Sequence, residues 1–432
     1  MAKPVVSIVK SRDIDQSVRE AVELCGGLQG MNKNDGILIK PNLVDWEFDL
    51  PFPPYGVVTT TALVFALVRL LAEEGFSRIT VGEAPLPVPK SKGRQIYQAL
   101  GYEKLKERYG VELVDFNEEK FVPVDFGGYK LNIAQKALEA HRLINLPVLK
   151  THNLCRVSLG LKNLKGCLDR KSKILCHGRD HDLDQMFPAI ADKLPPGLTI
   201  VDGIYTLERG PAPYGKAYRK DLLIASRDTF ACDVVASEVM GHPAREVPHL
   251  ENYAGISGRS LDTADIEVRG RGIGEVGFSL AHDWDWEEDD TGPLGFKKRG
   301  ITGIAVRKYD KTLCTGCSGM YNPMLIMIMS AFKGQPFPGV EVITGKVRMA
   351  GPGFEKTVLF GKCICDLNKD NPNIKKAVQV KGCPPDLKNF EKVMQAEGID
   401  CKYEDYVKYR GFYLKNNYSD KEIFDMGLYV MQ

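Results

Sequence analysis

The chain opens on a β-branched run, "VVSIVK" (5–10). "IDQSVREAVELCGG" (14–27) follows, with apolar positions at helical spacing and a close on Gly26 and Gly27. A glycine pair suits the left-handed end of a helix. "DGILIKPNLV" (35–44) is continuously apolar at its centre, as a strand is when both faces are covered. "TTTALVFALVRLLAEEGF" (59–76) returns to the helical period, with threonines placed to cap its start. "RITVGEAP" (78–85) reads as the next strand. A helix is expected at "GRQIYQALGYEKLKERYG" (93–110) and strands at "HRLINLPVLKTH" (141–152), "GLTIVDGIYTL" (197–207) and "KDLLIAS" (220–226). Another helix is expected at "DTFACDVVASEVMG" (228–241). Strands alternating with helices predict a mostly parallel sheet.

The alternation breaks at "DWDWEEDDTGPLG" (283–295), an acidic segment with Pro and Gly that reads as a loop or linker. Beyond it, "NPMLIMIMSAFKG" (322–334) is helical, and "GVEVITGKVRMAG" (339–351) and "KTVLFGKCIC" (356–365) are strand-like. "PPDLKNFEKVMQAEG" (384–398) is a helix opened by proline. The tail from 403 is rich in tyrosine and is expected to pack on the body or on another subunit. The expected fold class is α/β. It comprises a mostly parallel sheet domain over 1–300, a smaller α/β domain over 301–401 and the tail over 402–432.

A chain of 432 residues is too long for one core. A formal net charge of +2 gives no polyanion-binding surface, so nucleic acid is not an expected partner. The apolar stretches are too short to span a bilayer, and the opening residues do not read as a secretory leader. A soluble, cytoplasmic protein is expected. Eleven cysteines, an odd number in a long chain, point to metal ligation or redox chemistry rather than a disulfide framework.

The cysteines form a pattern. "KTLCTGCSGM" (311–320) carries Cys314 and Cys317 two residues apart. A bacterial ferredoxin run would place its next two cysteines where Met320 and Met324 stand, and a thioether is a poor ligand for cluster iron. The remaining ligands must come from elsewhere. "GKCIC" supplies Cys363 or Cys365, and "KGCPP" supplies Cys383. Cys363 is preferred because it directly follows Gly361 and Lys362. The set Cys314, Cys317, Cys363 and Cys383 gives four thiolates, the count for one [4Fe–4S] cluster. Glycines just before Cys363 and Cys383 would let backbone amides approach the sulfides. Met320 and Met324 would pack beside the cluster as apolar shielding. A four-thiolate zinc site is the main alternative, a thioredoxin-type dithiol a weaker one, and scattered structural cysteines the plain reading. The long, unequal spacings favour iron–sulfur over a zinc ribbon. This order of a Cys pair, Gly-x-Cys and Gly-Cys-Pro-Pro is similar to that of the small iron–sulfur subunits of complex I and nickel hydrogenases.

The first domain carries "LIKPNLV" (38–44), "VLKTHNLCRVSLGLKNLKG" (148–166), "VDGIYTLERGP" (201–211) and "RDTFACDVVASEVMG" (227–241). Together these resemble the family catalogued as domain of unknown function 362, over about residues 1 to 300. Members are often linked to iron–sulfur domains, so the resemblance implies an iron–sulfur protein but no particular reaction. The chain departs from members with a ferredoxin-type cysteine run.

Lys40 and Asn42 follow a buried-type strand, and Lys150, Thr151 and His152 end another, where open α/β sheets bind ligands. Lys162, Asn163 and Lys165 lie in a Gly-bounded segment. Lys40, Asn42, His152, Lys162 and His177 are the candidate catalytic residues, forming a cationic pocket for a small anionic ligand or a rim for cluster approach. The competing expectation is that Lys40 and Lys162 form buried ion pairs with Glu83, Asp202 or Asp228. "CLDRKSKILCHGRDH" (167–181) offers Cys167, Cys176, His177 and His181, whose spacing fits no standard metal motif. His177 and His181 read better as proton donors. There is no Walker A motif, no dinucleotide fingerprint after the first strand and no nucleophile elbow; "GRGIGEVG" (270–277) is a weak nucleotide signal.

The expected function is therefore single-electron transfer to or from a redox partner protein, with a homodimer as a further expectation. A reductase with its active site in the first domain is the first alternative. A zinc-stabilised binding module is the second.

Overall fold

The structure is a computed structural model and describes residues 2–44, 46, 54–85, 92–180, 182–211 and 214–431. The chain divides into two compact units. The first comprises Met1–Ser172, Asp184–Asp283 and Asn417–Gln432; the second comprises Lys173–Leu183 and Trp284–Asn416. The acidic segment at 283–295 therefore begins where the units divide. The division departs from the expected boundary at 300 in two ways. An excursion at 173–183 joins the second unit, and the last sixteen residues return to the first.

The first unit is built on a large sheet. Its strands are β1 (Val5–Lys10), β2 (Ile37–Pro41), β3 (Ile79–Glu83), β4 (Glu112–Asp115), β7 (Arg142–Leu146), β8 (Val148–His152), β9 (Arg156–Val157), β10 (Gly197–Leu207), β11 (Ala217–Ser226) and β12 (Glu267–Gly270). A separate antiparallel hairpin pairs β5 (Phe121–Asp125) with β6 (Lys130–Ala134). The main order is β12-β1-β11-β10-β7-β2-β3-β4, with β8 paired to β10 and β9. All neighbours run parallel except β1–β11, β10–β11 and β8–β9. The expected α/β class with a mostly parallel sheet is thus what forms. Strand β2 is buried along its whole length, as its continuous apolar run requires.

Local details follow from particular residues. The Ile14–Leu24 helix is capped by the Asp13 carboxylate, which accepts from Gln16 N at 3.0 Å. It ends at Cys25, with Gly26 left-handed beyond it. The Thr61–Glu73 helix has Thr60 at its cap position, but the hydroxyl does not bond the helix. Both the Thr60 hydroxyl and its amide donate to Asp202 instead. The single helix expected over 93–110 is two, Lys92–Leu100 and Glu103–Tyr109, divided at left-handed Gly101. The expected strand over 141–152 is likewise two, because Pro147 has no N–H for the ladder.

The strand order places a reversal between β2 and β7. From β2 the chain adds β3 and then β4 on one side, and later lays β7 on the other. Such a switch point opens a crevice beyond the carboxyl ends of the two strands.

The second unit has an all-parallel sheet in sequence order: β13 (Ile304–Val306), β14 (Val340–Ile343), β15 (Lys356–Phe360) and β16 (Ala377–Val380). A helix, Thr315–Ala331, follows β13, and another, Leu387–Ala396, follows β16. The run "KTVLFGKCIC" is not one strand. It stops at Phe360, turns at Gly361 (φ 113°) and continues as a short helix, Lys362–Leu367.

Candidate functional site

Two groups of chemistry-bearing residues stand out, one in each unit, and both lie beyond the carboxyl ends of parallel strands.

In the second unit each strand contributes to one cluster. Cys314 and Cys317 follow β13, Lys346 follows β14, Cys363 follows β15 and Cys383 follows β16. The four thiols lie within electrostatic reach of one another. Cys314 occupies the cap position of the Thr315–Ala331 helix, where the helix dipole favours a thiolate. A hydrogen bond from the Cys317 thiol pulls Cys314 down to about 5 against burial, with help from the N–H groups of Cys317 and Gly316 and the Lys346 charge. The same bond, followed by burial, pushes Cys317 up. Burial pushes Cys363 up, opposed by Lys346. A side chain on Gly361 would bring its Cβ within 3.3 Å of Cys317 Sγ, in a backbone conformation that L residues rarely adopt.

Cys365 is turned elsewhere. Its thiol donates to the Leu359 carbonyl at 3.4 Å, and it is buried among Ile343, Ala350, Leu359 and Ile364. Met320 and Met324 lie three and seven positions after Cys317 on the Thr315–Ala331 helix, the spacing of one helical face. Met324 is fully buried.

The excursion at 173–183 belongs to this unit. Lys346 Nζ donates to the carbonyls of His177 at 2.5 Å and Ile174 at 3.2 Å, and its amide donates to Thr312 Oγ1 at 2.9 Å. His177 Nδ1 lies 2.9 Å from the Lys311 carbonyl. His177 is thus placed next to the cysteine loop of the second unit, not with the other candidate catalytic residues, which all lie in the first. No sequence signal short of the tertiary fold could have moved it. Cys176 is buried in the same excursion, and Cys167 is buried in the first unit. His181 lies outside the described residues. Among the described residues no three His, Cys, Asp or Glu side chains stand close enough to hold one metal ion.

In the first unit, Lys40 is fully buried and pairs with Glu83 at 2.5 Å. Its Nζ also meets the Pro41 carbonyl at 3.0 Å and Asn163 Oδ1 at 3.4 Å. Asn42 donates to Asn163 Oδ1 at 2.9 Å and accepts from Lys150 Nζ at 3.1 Å. Asn163 donates to Asn145 Oδ1 at 2.8 Å, and Asn145 donates to the Gly160 carbonyl at 2.9 Å. Because ammonium groups only donate, this chain of bonds fixes the orientation of every amide in it. Asn145, which sequence reasoning missed, is its link to β7. The phrase "GLKNLKG" is therefore bolted across the switch point. Asp233 holds its start by accepting from the amides of Gly160 (2.7 Å) and Leu161 (2.8 Å). Gly166 has no room for a Cβ, which would sit 2.3 Å from Glu83 Oε1 and 2.4 Å from Lys40 Nζ.

The expected ion pair between Lys40 and Glu83 forms. Asp202 is committed to Thr60, and Asp228 to Arg259 at 2.6 Å. Lys162 has no hydrogen-bond or ion-pair partner among the described residues; its Nζ lies 6.0 Å from the centroid of the Phe187 ring. Burial pushes Lys162 down to about 8 and holds Lys150 well below the usual lysine range. His152 is buried and accepts from Leu154 N through Nδ1 at 3.1 Å, closing the turn after β8.

A depression of about 990 Å³ opens at the other ends of β7 and β10, beside Arg142 and Gly197. Three of its arginines already have carboxylates: Arg142 with Asp35, Arg259 with Asp228 and Arg269 with Glu267.

These features define an α/β protein with a network of buried lysines and asparagines at the switch point of its large sheet and a thiol cluster at the strand ends of its small one. Residues 37–238, which hold this network, match the family model described as "Domain of unknown function (DUF362)". A curated relative, "Thylakoid-associated protein sll1697" of Synechocystis sp., is 28% identical over 255 residues, covering 57% of this chain and 77% of the relative. A solved structure, the lactate racemase apoprotein from Thermoanaerobacterium thermosaccharolyticum, aligns over 54% of this chain and 57% of that one, with a TM-score of 0.33 and 13% identity. Among the described residues no helix is long and apolar enough to cross a membrane.

Proposed function

We propose that the chain is a cytoplasmic iron–sulfur redox protein, with one [4Fe–4S] cluster held by Cys314, Cys317, Cys363 and Cys383. The observation that carries this reading is the gathering of these four thiols beyond the ends of one parallel sheet, while Cys365, two residues from Cys363, is packed into the core. The donor set suits the group: four thiols, two of them on the opening turns of helices, a nearby ammonium at Lys346 and a glycine where a side chain would crowd sulfur. When bound, such a cluster supplies one-electron transfer. A tetrahedral zinc would draw all four sulfurs to about 2.3 Å from one point. The long, unequal spacings of the four cysteines along the chain favour the cluster over a zinc ribbon. Cys363 and Cys383 are exposed, as a carrier that serves a partner protein requires.

The chain's own residues prepare this site. Lys346 places positive charge beside Cys314 and Cys363 and ties the 174–177 turn to the cysteine loop. Met324 closes the helix side against water.

The test is iron and acid-labile sulfide analysis of anaerobically purified protein, with EPR after dithionite reduction. About four irons and four sulfides per chain, the cubane content, are expected, with a reduced-state signal. A colourless protein holding one zinc per chain would overturn the proposal and leave the binding-module reading.

A further inference from the structure

The first unit gathers several lysines at one end of its large sheet. Lys40 stands near the carboxyl end of β2 and Lys150 within β8, and the segment bolted over the strand ends adds Lys162 and Lys165. Lys162 feels the like charges of Lys165 and Lys40, and Lys150 feels those of Lys162 and Lys40. Among the described residues, Glu83 acts on Lys150 and Asp184 on Lys162. Glu83 is engaged by Lys40 at 2.5 Å, and Asp184 stands 3.6 Å from His249 Nδ1. The buried thiol of Cys155 is a further titratable neighbour of Lys162.

Within this group the lysines differ in what holds them. Lys40 has a carboxylate, and Lys150 has Asn42 Oδ1 and the Val57 carbonyl at 2.6 Å. Lys162, half-buried, has neither among the described residues. A cation in this setting is costly unless something of opposite charge meets it. The position is also where open α/β sheets bind ligands, beyond the strand ends at the reversal of strand order. The rest of the crevice is fixed in advance, since Asn42, Asn145 and Asn163 are mutually bonded and Asp233 anchors the segment that carries Lys162.

We propose that the crevice at the carboxyl ends of β2 and β7 binds a small oxyanion, a carboxylate or a phosphate, with Lys162 as the residue that contacts it. Lys40 and Lys150 supply the field, and the asparagine chain keeps the floor rigid. This site is independent of the cysteine cluster and stands whether or not a cluster is bound.

The test uses the full chain as purified, with two probes, inorganic phosphate and malonate, each against sodium chloride at matched ionic strength. The amine reactivity of Lys162 is read by mass spectrometry after reductive methylation, with exposed Lys193 as internal control. Either probe should slow labelling of Lys162 about tenfold, the effect of about 1.4 kcal/mol of contact, and leave Lys193 unchanged. The probe that protects more strongly assigns the anion class. Lys162→Met should fold and lose the thermal stabilisation that the probe gives the wild type, whereas Lys162→Arg should keep part of it. Equal protection by chloride, no protection by either probe, or a Lys162→Met protein that responds like the wild type would each overturn the proposal.

Discussion

Cys363 and Cys365 sit two positions apart on a single turn of helix and belong to different environments. The Cys363 side chain lies at the surface among the charges of Lys346, Cys314 and Cys383. The Cys365 thiol reaches back to the Leu359 carbonyl within the apolar core. The two replacements should therefore separate. Cys363→Ser should lose most of the iron and sulfide while unfolding near the wild-type denaturant midpoint. Cys365→Ser should keep the metal content and lose about 1–3 kcal/mol of stability, the cost of a buried hydroxyl in an apolar pocket. Metal analysis and urea unfolding of the two variants decide it; iron lost from Cys365→Ser alone would reverse the assignment.

The Lys40–Glu83 pair is buried on both sides, so removing one partner should cost far more than removing both. Glu83→Gln leaves an ammonium stranded among Lys150 and Lys162 and should destabilise by about 3–5 kcal/mol. The double replacement Lys40→Met with Glu83→Leu should recover much of that loss. Gly166→Ala pushes a methyl into the same pair and should cost about 1–3 kcal/mol by overpacking. A double-mutant cycle in urea gives all three values.

Much of this architecture can be read from the chain. The apolar runs and helical periods give the α/β alternation, because each strand of a covered sheet must be apolar along its length. The spacing of Cys314 and Cys317 and the two glycine-preceded cysteines mark the same four residues that the fold brings near one another. The choice between Cys363 and Cys365 rested on Gly361, and Gly361 is where the backbone turns from strand to helix. Other features depend on tertiary structure and leave no local trace. Lys40 meets Glu83 across 43 positions. His177 leaves with an excursion that no composition change announces. Thr60 looks like a helix cap, but a buried carboxylate 142 positions away competes for its hydroxyl and wins.

Asp233 should make stability depend on pH in an unusual direction. Burial pushes its carboxyl up to about 7, against the two amides that bind it, whereas in the unfolded chain it ionises near 3.8. Between these values the folded state holds a proton that the unfolded state has released, so stability falls as pH rises. The contribution is complete below pH about 4 and gone above about 7. Asp202, pushed up to about 6 by burial, adds in the same sense. Asp233→Asn cannot ionise. Its stability deficit relative to the wild type should shrink as pH rises from 4.5 to 7.5, by up to about 1.4 kcal/mol for each pH step of one. Urea unfolding at several pH values measures this, and a constant or widening deficit would contradict it.

The tyrosine-rich tail was expected on the body or at a subunit interface, and its last sixteen residues lie in the first unit. Tyr429 is buried, its hydroxyl accepts from Gly56 N at 3.1 Å, and its ring meets Tyr55 edge-on at 5.3 Å. Phe424 stacks on Tyr205 at 5.8 Å, and the Tyr205 hydroxyl donates to the Ile423 carbonyl at 2.8 Å. Deleting the tail would expose Tyr55 and Tyr205 and take away the partners of their hydroxyls and of the Gly56 amide. Tyr429→Ala should cost about 3–5 kcal/mol, as removal of a buried ring does. Tyr429→Phe, which only orphans the Gly56 amide, should cost about 1–3 kcal/mol. Both variants should sediment like the wild type, because the tail's partners lie in its own chain. A change of oligomeric state in Tyr429→Ala with unaltered thermal stability would instead identify the tail as an interface between copies.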